Sequence, residues 1–245
     1  MSALDGPFNA VVAGGGGIGA AIARRLLEHY PVERLFLLQR SATPAVVDSR
    51  CTVLPVDALE PATLAQSAEH IVAECGELQL VVNAVGLLHD ESFKPEKRLK
   101  DVSPEALMRL AQVNAFFLPQ LAGALAPLLR HRSPSILASI SARVGSITDN
   151  GMGGWYSYRA SKAAHNMLLK TLSREWRVSH KQCAVIALHP GTVQTALSEP
   201  YTPPNYRKRV LAPDECAAAL LSVLEGVSAE DSGRFLAWDG SEIPW

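Results

Sequence analysis

Short apolar runs alternate with segments of helical periodicity along most of the 245-residue sequence, and this alternation constrains the fold more than any other feature. Strands that read as unbroken apolar runs are typical of a parallel sheet covered by helices on both faces. Because crossovers between parallel strands are right-handed, the pattern predicts a doubly wound sheet. The predicted strands are 9–13, 34–38, 52–56, 78–83, 135–139, 183–188 and 234–238, and the predicted helices are 18–29, 61–75, 103 to about 130, 157–179 and 213–224.

The composition excludes several classes of protein. The 23 Lys and Arg residues nearly balance the 24 Asp and Glu residues, which argues against a nucleic-acid binder with a strongly basic surface. No apolar run approaches the roughly 20 residues that span a bilayer, and the first residues lack the basic stretch of a signal peptide. The four cysteines lie far apart and no Cys or His residues have metal-ligand spacing, so neither a disulfide framework nor a metal site is predicted. We therefore expect a cytoplasmic α/β protein, with a single domain over 1–245 and no membrane partner.

A glycine-rich loop lies between the first predicted strand and the first predicted helix. Its residues are Gly14, Gly15, Gly16, Gly17, Ile18 and Gly19. Glycines in this place allow a tight turn and let backbone N–H groups approach a pyrophosphate at the helix N-terminus. Taken alone, the motif also fits a flexible glycine loop. Its position between a buried strand and an amphipathic helix favours a Rossmann-like dinucleotide site at the carboxyl ends of the strands.

The end of the second predicted strand indicates which dinucleotide is preferred. NAD-binding folds usually carry an acidic residue here, which holds the ribose hydroxyls. This sequence has Gln39 and then Arg40. A guanidinium would pair with a 2′-phosphate, so the residues favour NADP(H) over NAD(H). The alternative is that Arg40 is solvated or pairs with Asp48.

The segment Tyr158-Arg159-Ala160-Ser161-Lys162 begins a long predicted helix and is the strongest chemical signal. Residues four apart lie on one helical face, which places Tyr158 beside Lys162. An ammonium beside a phenol favours the phenolate and lowers the phenol pKa. Tyr158 is therefore a candidate general acid for a carbonyl oxygen, or a general base for an alcohol. Tyr156, with Ala160 four residues later, has no such partner.

Taken in order, these motifs resemble the short-chain dehydrogenase/reductase family of the single-domain type. The glycine loop resembles the family's cofactor turn, and Tyr158-Arg159-Ala160-Ser161-Lys162 matches its Tyr-xxx-Lys signature. Further matches are Asp57 after the third strand, Asn83 to Gly86 after the fourth, Asn114 in a helix, and the turn with Pro190, Gly191, Val193 and Thr195 after the sixth strand. The resemblance implies an NADP(H)-dependent enzyme that interconverts a small-molecule carbonyl and alcohol by hydride transfer.

The resemblance also implies a role for each matching residue. Tyr158 would act as general acid or base, and Lys162 would hold the nicotinamide ribose and lower the Tyr158 pKa. Asn114 would hold a water that connects Lys162 to solvent. Asp57 would contact the adenine, and the turn at 190–195 would close over the nicotinamide and phosphates. The family also implies a homodimer or homotetramer.

The catalytic serine of the family is ambiguous in this sequence. The family usually places it three residues before the glycine that is Gly145 here, and that position holds Ala142. We expect Ser141 to take the role, because it ends a strand. Ser146 in the following loop is the alternative, and a missing serine with weak catalysis is a third possibility.

The stretch before and through Tyr158 resembles a narrower branch, the C-factor-like proteins. That resemblance keeps a second hypothesis open, in which the chain is a dinucleotide-binding regulatory or cell-signalling protein with little or no turnover. A segment over 196–212 is expected to form a short substrate lid, in which Tyr201 lines a pocket or lies exposed. The basic residues 207–209 are interpreted as a solvated tip or a subunit contact, with attraction of an acidic substrate as the alternative. The mixed-charge loop 94–98 is interpreted as solvated. Trp155 precedes Tyr158 and contacts either substrate or protein.

Overall fold

The computed structural model describes residues 3–41, 43–207 and 209–245, so Lys208 of the basic segment lies outside the described residues. Its strands are β1 Phe8–Ala13, β2 Val32–Gln39, β3 Cys51–Pro55, β4 Leu80–Asn83, β5 Ser135–Ile140, β6 Cys183–His189, β7 Thr192–Val193, β8 Val210–Leu211 and β9 Phe235–Ala237. Its α-helices are α1 Gly17–His29, α2 Pro61–Glu74, α3 Pro104–Ala111, α4 Phe117–Leu129, α5 Tyr156–Ser179 and α6 Pro213–Glu225. Each predicted strand and helix is present, with ends that differ by one or two residues in most cases.

The described residues form a seven-stranded parallel sheet in the order β3-β2-β1-β4-β5-β6-β9. The strand order reverses at β1, because the chain moves outward to β3 and then returns to β4 on the other side. This is the doubly wound arrangement that the alternation of strands and helices predicts, and the Rossmann-like fold is confirmed. The reversal places the carboxyl ends of β1 and β4 side by side, where this class of sheet binds its ligands.

The sheet is buried on both faces. Ala10 and Val12 of β1 pack with α1 and α6, whereas Val11 and Ala13 pack with α2, α4 and α5. Successive side chains of a strand point to opposite faces, so a strand between two helical layers must be apolar at every position. This explains why the strands appear in the sequence as unbroken apolar runs.

The helix predicted from residue 103 is interrupted. It begins as expected, with the Ser103 hydroxyl accepting a hydrogen bond from the Ala106 N–H at 3.0 Å. A π-helical turn over Gln112–Phe116 then separates α3 from α4, so the single helix predicted from 103 to about 130 is two helices. By length and composition alone, the combined segment Pro104–Leu129 could cross a membrane, but half of its most apolar window is buried inside the fold, as in a core helix.

The expected lid over 196–212 has little regular structure. A short 3₁₀ helix covers Glu199–Tyr201, and β8 pairs with β7 as a separate two-stranded ribbon. The ribbon ties the far end of the lid to the turn that follows β6. The lid therefore lies over the same edge of the sheet as the glycine loop.

Candidate active site

The glycine loop and the turn after β6 face each other across this edge. A Cβ added to Gly17 would lie 2.6 Å from Cγ2 of Thr195, so no larger residue fits without moving one of the two loops. A Cβ at Gly19 would lie 1.8 Å from the carbonyl oxygen of Gly14, which makes glycine obligatory there. Gly16, in contrast, has open space around it, and it precedes a helix whose first turn has no side-chain cap and no acidic residue. Uncapped N–H groups beside open space suit a pyrophosphate.

The end of β2 is organised by Gln39. Its buried amide donates to the carbonyl oxygens of Ser41 and Thr43 at 2.6 and 2.7 Å, which folds the loop that follows. Arg40 projects from this loop and is exposed. The alternative pairing of Arg40 with Asp48 is not seen, because the Asp48 carboxylate binds Arg50 at 2.9 Å. The guanidinium of Arg40 thus has no salt-bridge partner among the described residues.

Asp57 and Asn83 each organise the loop that follows their strand. The Asp57 carboxylate accepts a hydrogen bond from the Leu59 N–H at 2.9 Å, and the residue is half-buried. The buried Asn83 donates to the Ser139 hydroxyl at 3.0 Å and accepts from the Val85 N–H at 3.1 Å. Asn83 therefore joins β4 to β5 and shapes the turn that ends at Gly86.

Gly86 brings that turn close to two other candidate residues. A Cβ added to Gly86 would lie 3.8 Å from Oδ1 of Asn114 and 3.9 Å from Nζ of Lys162. The turn after β4, the π-helical turn and α5 thus meet at one point. The sequence motifs had pointed to these three residues separately.

Asn114 uses its side chain as a clamp. Its amide accepts from the Leu87 N–H at 2.7 Å, and donates to the Leu87 carbonyl oxygen at 2.8 Å and to the Ser161 hydroxyl at 2.9 Å. These bonds tie the π-helical turn to the loop after β4 and to α5. The backbone carbonyl oxygen of Asn114 is hydrogen-bonded to Nδ1 of His165 at 2.7 Å. The water-holding role of Asn114 stays a prediction.

Tyr158 and Lys162 both lie on the buried face of α5, with 8% and 3% of their surface exposed. The Lys162 ammonium donates to the carbonyl oxygen of Ile140, at the end of β5, at 3.0 Å. Burial lowers the pKa of Lys162 to about 8. Burial raises the pKa of Tyr158, which is opposite to the direction that the Lys162 charge alone predicts. The surrounding protein therefore favours the neutral form of both side chains.

Neither candidate serine is bonded to Tyr158. The Ser141 hydroxyl donates to Oδ1 of Asn166 at 2.6 Å, and the Ser146 hydroxyl accepts from the Asp149 N–H at 3.1 Å. Ala142 packs instead against the apolar cluster that contains Tyr158. Ala142 has extended backbone, in which neighbouring side chains point to opposite sides, so the Ser141 hydroxyl faces away from the side that Ala142 shares with Tyr158.

A row of aromatic rings extends from Tyr158 into the lid. The ring of Trp155 meets the rings of Tyr158 and Tyr201 edge-on, with centroids 6.1 and 5.2 Å apart. Tyr201 in turn meets His89 at 5.6 Å, and His89 bonds to the carbonyl oxygen of Leu197 at 3.2 Å. The lid therefore contacts Trp155, which neighbours Tyr158, and His89, and Tyr201 takes part in both contacts.

The sequence analysis missed His165 and Asn166, which follow Lys162 at helical spacing on the buried face of α5. Burial, together with the nearby Lys162 charge, lowers the pKa of His165 to about 3, so its ring is neutral at physiological pH. Asn166 binds Ser141, and its own Nδ2 is buried without a partner among the described residues. Extending the three- and four-residue spacing beyond Lys162 would have identified both.

Comparison with known proteins agrees with this geometry. The family model described as "short chain dehydrogenase" matches residues 9–205. The C-signal protein of Myxococcus xanthus is 36% identical over 147 residues, which is 60% of this chain and 83% of that protein. The 1-hydroxy-2-glutathionyl-2-methyl-3-butene dehydrogenase of Rhodococcus sp. (strain AD45) is 30% identical over 183 residues, covering 75% of this chain and 77% of that protein.

A solved structure gives the same result for the fold. The NADPH-bound carbonyl reductase from chicken fatty liver superimposes with a TM-score of 0.85 and 25% identity, over 97% of this chain and 94% of that chain. The family match covers most of the strands, the candidate site and the beginning of the lid. The chain belongs to the short-chain dehydrogenase family of oxidoreductases.

Proposed function

We propose that the protein is an NADP(H)-dependent oxidoreductase that interconverts a carbonyl and an alcohol by hydride transfer. The observation that carries this proposal is the Tyr158 and Lys162 pair on α5, buried where the loops after β4 and β5 meet. The chicken carbonyl reductase, with NADPH bound, has the same fold. A small-molecule carbonyl or alcohol is the expected substrate, covered by the lid at 196–212.

The residues around the edge of the sheet fit a dinucleotide. The open space at Gly16 and the uncapped start of α1 would receive the pyrophosphate, and Thr195 would close the groove from the opposite side. Arg40 would pair with a ribose 2′-phosphate. Gly14, Gly15, Ile18 and Gly19 would shape the turn, and Asp57, Asn83, Gly86, Pro190, Gly191 and Val193 would complete the walls. When bound, NADPH would supply the hydride.

Tyr158 would transfer the proton. In reduction its hydroxyl donates a proton to the carbonyl oxygen while the carbonyl carbon accepts hydride, and in oxidation the phenolate takes the proton back from the alcohol. The hydroxyl is free for this task, because it makes no hydrogen bond to the described residues. The raised pKa keeps Tyr158 protonated at neutral pH, which suits a proton donor.

Lys162 and the neighbouring polar groups would position the reactants. With a pKa near 8, the ammonium is largely charged at neutral pH, and it can hold ribose hydroxyls while its charge stabilises a developing phenolate. Asn114 would fix the loop at Leu87 and, through Ser161, the start of α5. Ser141 is the residue predicted to be the catalytic serine, but its hydroxyl donates to Asn166, so we propose that it acts by holding the end of β5 against α5.

The second candidate function is a dinucleotide-binding signalling protein with little turnover. Two observations favour it: the similarity to the C-signal protein, and the methyl group of Ala142 in place of a serine hydroxyl near Tyr158. It predicts binding of NADPH without its oxidation by any carbonyl in a broad panel.

One experiment separates the two functions. The wild-type protein, Tyr158→Phe and Tyr156→Phe are compared for NADPH binding by thermal shift and for NADPH oxidation with aldehydes and ketones. Tyr156 is the matched control, because it lies on the same helix turn and is exposed. Loss of turnover in Tyr158→Phe alone, with NADPH binding retained, supports the enzyme. Unchanged turnover in Tyr158→Phe would defeat the assignment.

The cofactor preference is tested with Arg40→Asp. Removing the cation and adding an anion is expected to weaken NADPH binding by at least tenfold and to favour NADH, because the carboxylate repels a 2′-phosphate. Stronger stabilisation of the wild type by NADH than by NADPH would overturn the argument. A homodimer or homotetramer remains a prediction, which light scattering would test.

A further inference from the structure

The N-terminus of α5 lacks a cap of its own. Its N-cap residue is Trp155, whose indole has no hydrogen-bond acceptor and makes no cap bond. Trp155 also has left-handed backbone, with φ 53°, and follows Gly153 and Gly154 with φ 64° and 68°. Residues other than glycine rarely adopt this backbone conformation, so surrounding contacts must hold Trp155 in it.

Glu96 supplies the missing cap from 59 positions earlier in the chain. One carboxylate oxygen accepts the Ser157 N–H at 3.2 Å, and the other accepts the Ser157 hydroxyl. The carbonyl oxygen of Glu96 also accepts the Trp155 N–H at 2.6 Å. The bond from the Ser157 N–H is the one that an N-cap Ser, Thr or Asp accepts within its own helix. Glu96 therefore fixes both the helix start and the strained residue before it.

The burial of Glu96 indicates that this contact is specific. The residue is 5% exposed, although its neighbours Lys94 and Lys97 are exposed. No salt bridge to Glu96 occurs among the residues that the structure describes, so its carboxylate is compensated by Ser157 and by the positive end of the helix dipole. The interpretation of 94–98 as a solvated loop is wrong at this position.

Ser157, whose N–H is bound by the Glu96 carboxylate, directly precedes Tyr158. The ring of Trp155 contacts both Tyr158 and the lid residue Tyr201. We propose that Glu96 is a positioning residue: it holds the first turn of α5 and thereby sets the place of the Tyr158 hydroxyl relative to the groove. The proposal rests on the proposed function for its effect on catalysis. Its structural part, that Glu96 caps α5, stands independently.

Kinetics test the effect on catalysis with Glu96→Ala, Glu96→Gln and the control Glu91→Ala, which alters an exposed carboxylate upstream in the same segment. Because a misplaced catalytic group loses about 10- to 100-fold in rate, we expect Glu96→Ala to lower kcat by that factor. The Kd for NADPH should stay within about twofold, since the glycine loop and Arg40 are distant in the fold. Glu96→Gln should recover most of the activity, because its amide oxygen still accepts the Ser157 N–H.

Three kinetic results in the Glu96 variants would overturn the catalytic part. They are a kcat of Glu96→Ala within twofold of wild type, a Glu96→Gln variant as impaired as Glu96→Ala, and a parallel loss of NADPH affinity. The last would mean general unfolding of the site. A fall in kcat in Glu91→Ala as large as in Glu96→Ala would also count against it, because the effect would then not be specific to the buried carboxylate.

Amide hydrogen exchange tests the cap without reference to activity. Among helix N–H groups of the first turn, that of Ser157 is protected by the Glu96 carboxylate. We expect about 5- to 30-fold faster exchange at Ser157 in Glu96→Ala, with exchange in α1 unchanged. Equal exchange in both proteins would refute the cap. If none of the tested carbonyls supports NADPH oxidation by the wild type, the proposed function fails. The exchange result still decides whether Glu96 holds α5.

Discussion

Lys162 gives a prediction that depends on the protein chain alone. Its ammonium is buried against the Ile140 carbonyl oxygen, and burial lowers its pKa from the ordinary 10.5 to about 8. In the unfolded chain the ammonium returns to water. Between these two pKa values the unfolded chain binds a proton that the folded chain has lost, so the free energy of unfolding rises with pH.

The magnitude follows from the two pKa values. Since a tenfold change in proton affinity corresponds to about 1.4 kcal/mol, the buried ammonium lowers the free energy of unfolding by about 3 kcal/mol at pH 7 and by about 2 kcal/mol at pH 9. Lys162→Met keeps the length of the side chain without the charge. The free energy of unfolding of wild type should therefore rise by about 1 kcal/mol relative to that of Lys162→Met between pH 7 and pH 9.

Urea unfolding of both proteins at the two pH values, at one protein concentration, measures this difference. The other titrating groups are common to both proteins and cancel to first order. Lys181→Met, at an exposed lysine just after α5, controls for the replacement of a lysine by methionine. An unchanged difference between wild type and Lys162→Met at pH 7 and pH 9 would refute the account, because it would mean that burial does not perturb this ammonium.

Three further predictions concern neighbouring parts of the site. Ala142→Ser should raise kcat by about 10- to 100-fold in steady-state assays if a hydroxyl beside the phenol binds the developing oxyanion, and no gain would remove that explanation. Gly17→Ala should weaken NADPH binding in thermal-shift titrations, because its methyl group would collide with Thr195, whereas Gly123→Ala on open helix surface should not. Tyr201→Ala should raise KM for carbonyl substrates more than it lowers kcat, since it loosens the lid; the reverse pattern would place Tyr201 in the chemistry.

The fold could be predicted because its main determinant, the alternation of apolar strands with helices, is visible in the sequence. The sheet must be apolar on both faces, and this requirement appears directly in runs such as residues 10–13 of β1. The interruption at Gln112–Phe116 could not be found in this way. A π-helical turn keeps the helical apolar pattern on both sides, and it is stabilised by contacts of Asn114 with Leu87, 27 positions away in sequence.

The site was predictable only where its chemistry depends on local spacing. Tyr158 and Lys162 are four residues apart on one helix, so their proximity follows from helical geometry. The partner of Ser141 depends instead on how β5 packs against α5, which no local pattern records. Glu96 illustrates the same limit, since its mixed-charge loop resembles any solvated loop until the uncapped start of α5 is brought next to it.

The burial of Tyr158 and Lys162 together has a consequence for the pH dependence of the proposed reaction. Burial favours the protonated phenol and the neutral amine, so the protein disfavours the phenolate that oxidation of an alcohol requires. Reduction uses the phenol in the form that the protein already stabilises. Oxidation must first remove a proton from the phenol, and a positive charge near the hydroxyl lowers the free energy of this deprotonation. Because Lys162 loses its own charge above about pH 8, that assistance fades where deprotonation of the phenol would otherwise become easier. The two groups thus oppose each other as the pH rises, because the loss of the Lys162 charge offsets part of the easier deprotonation of the phenol.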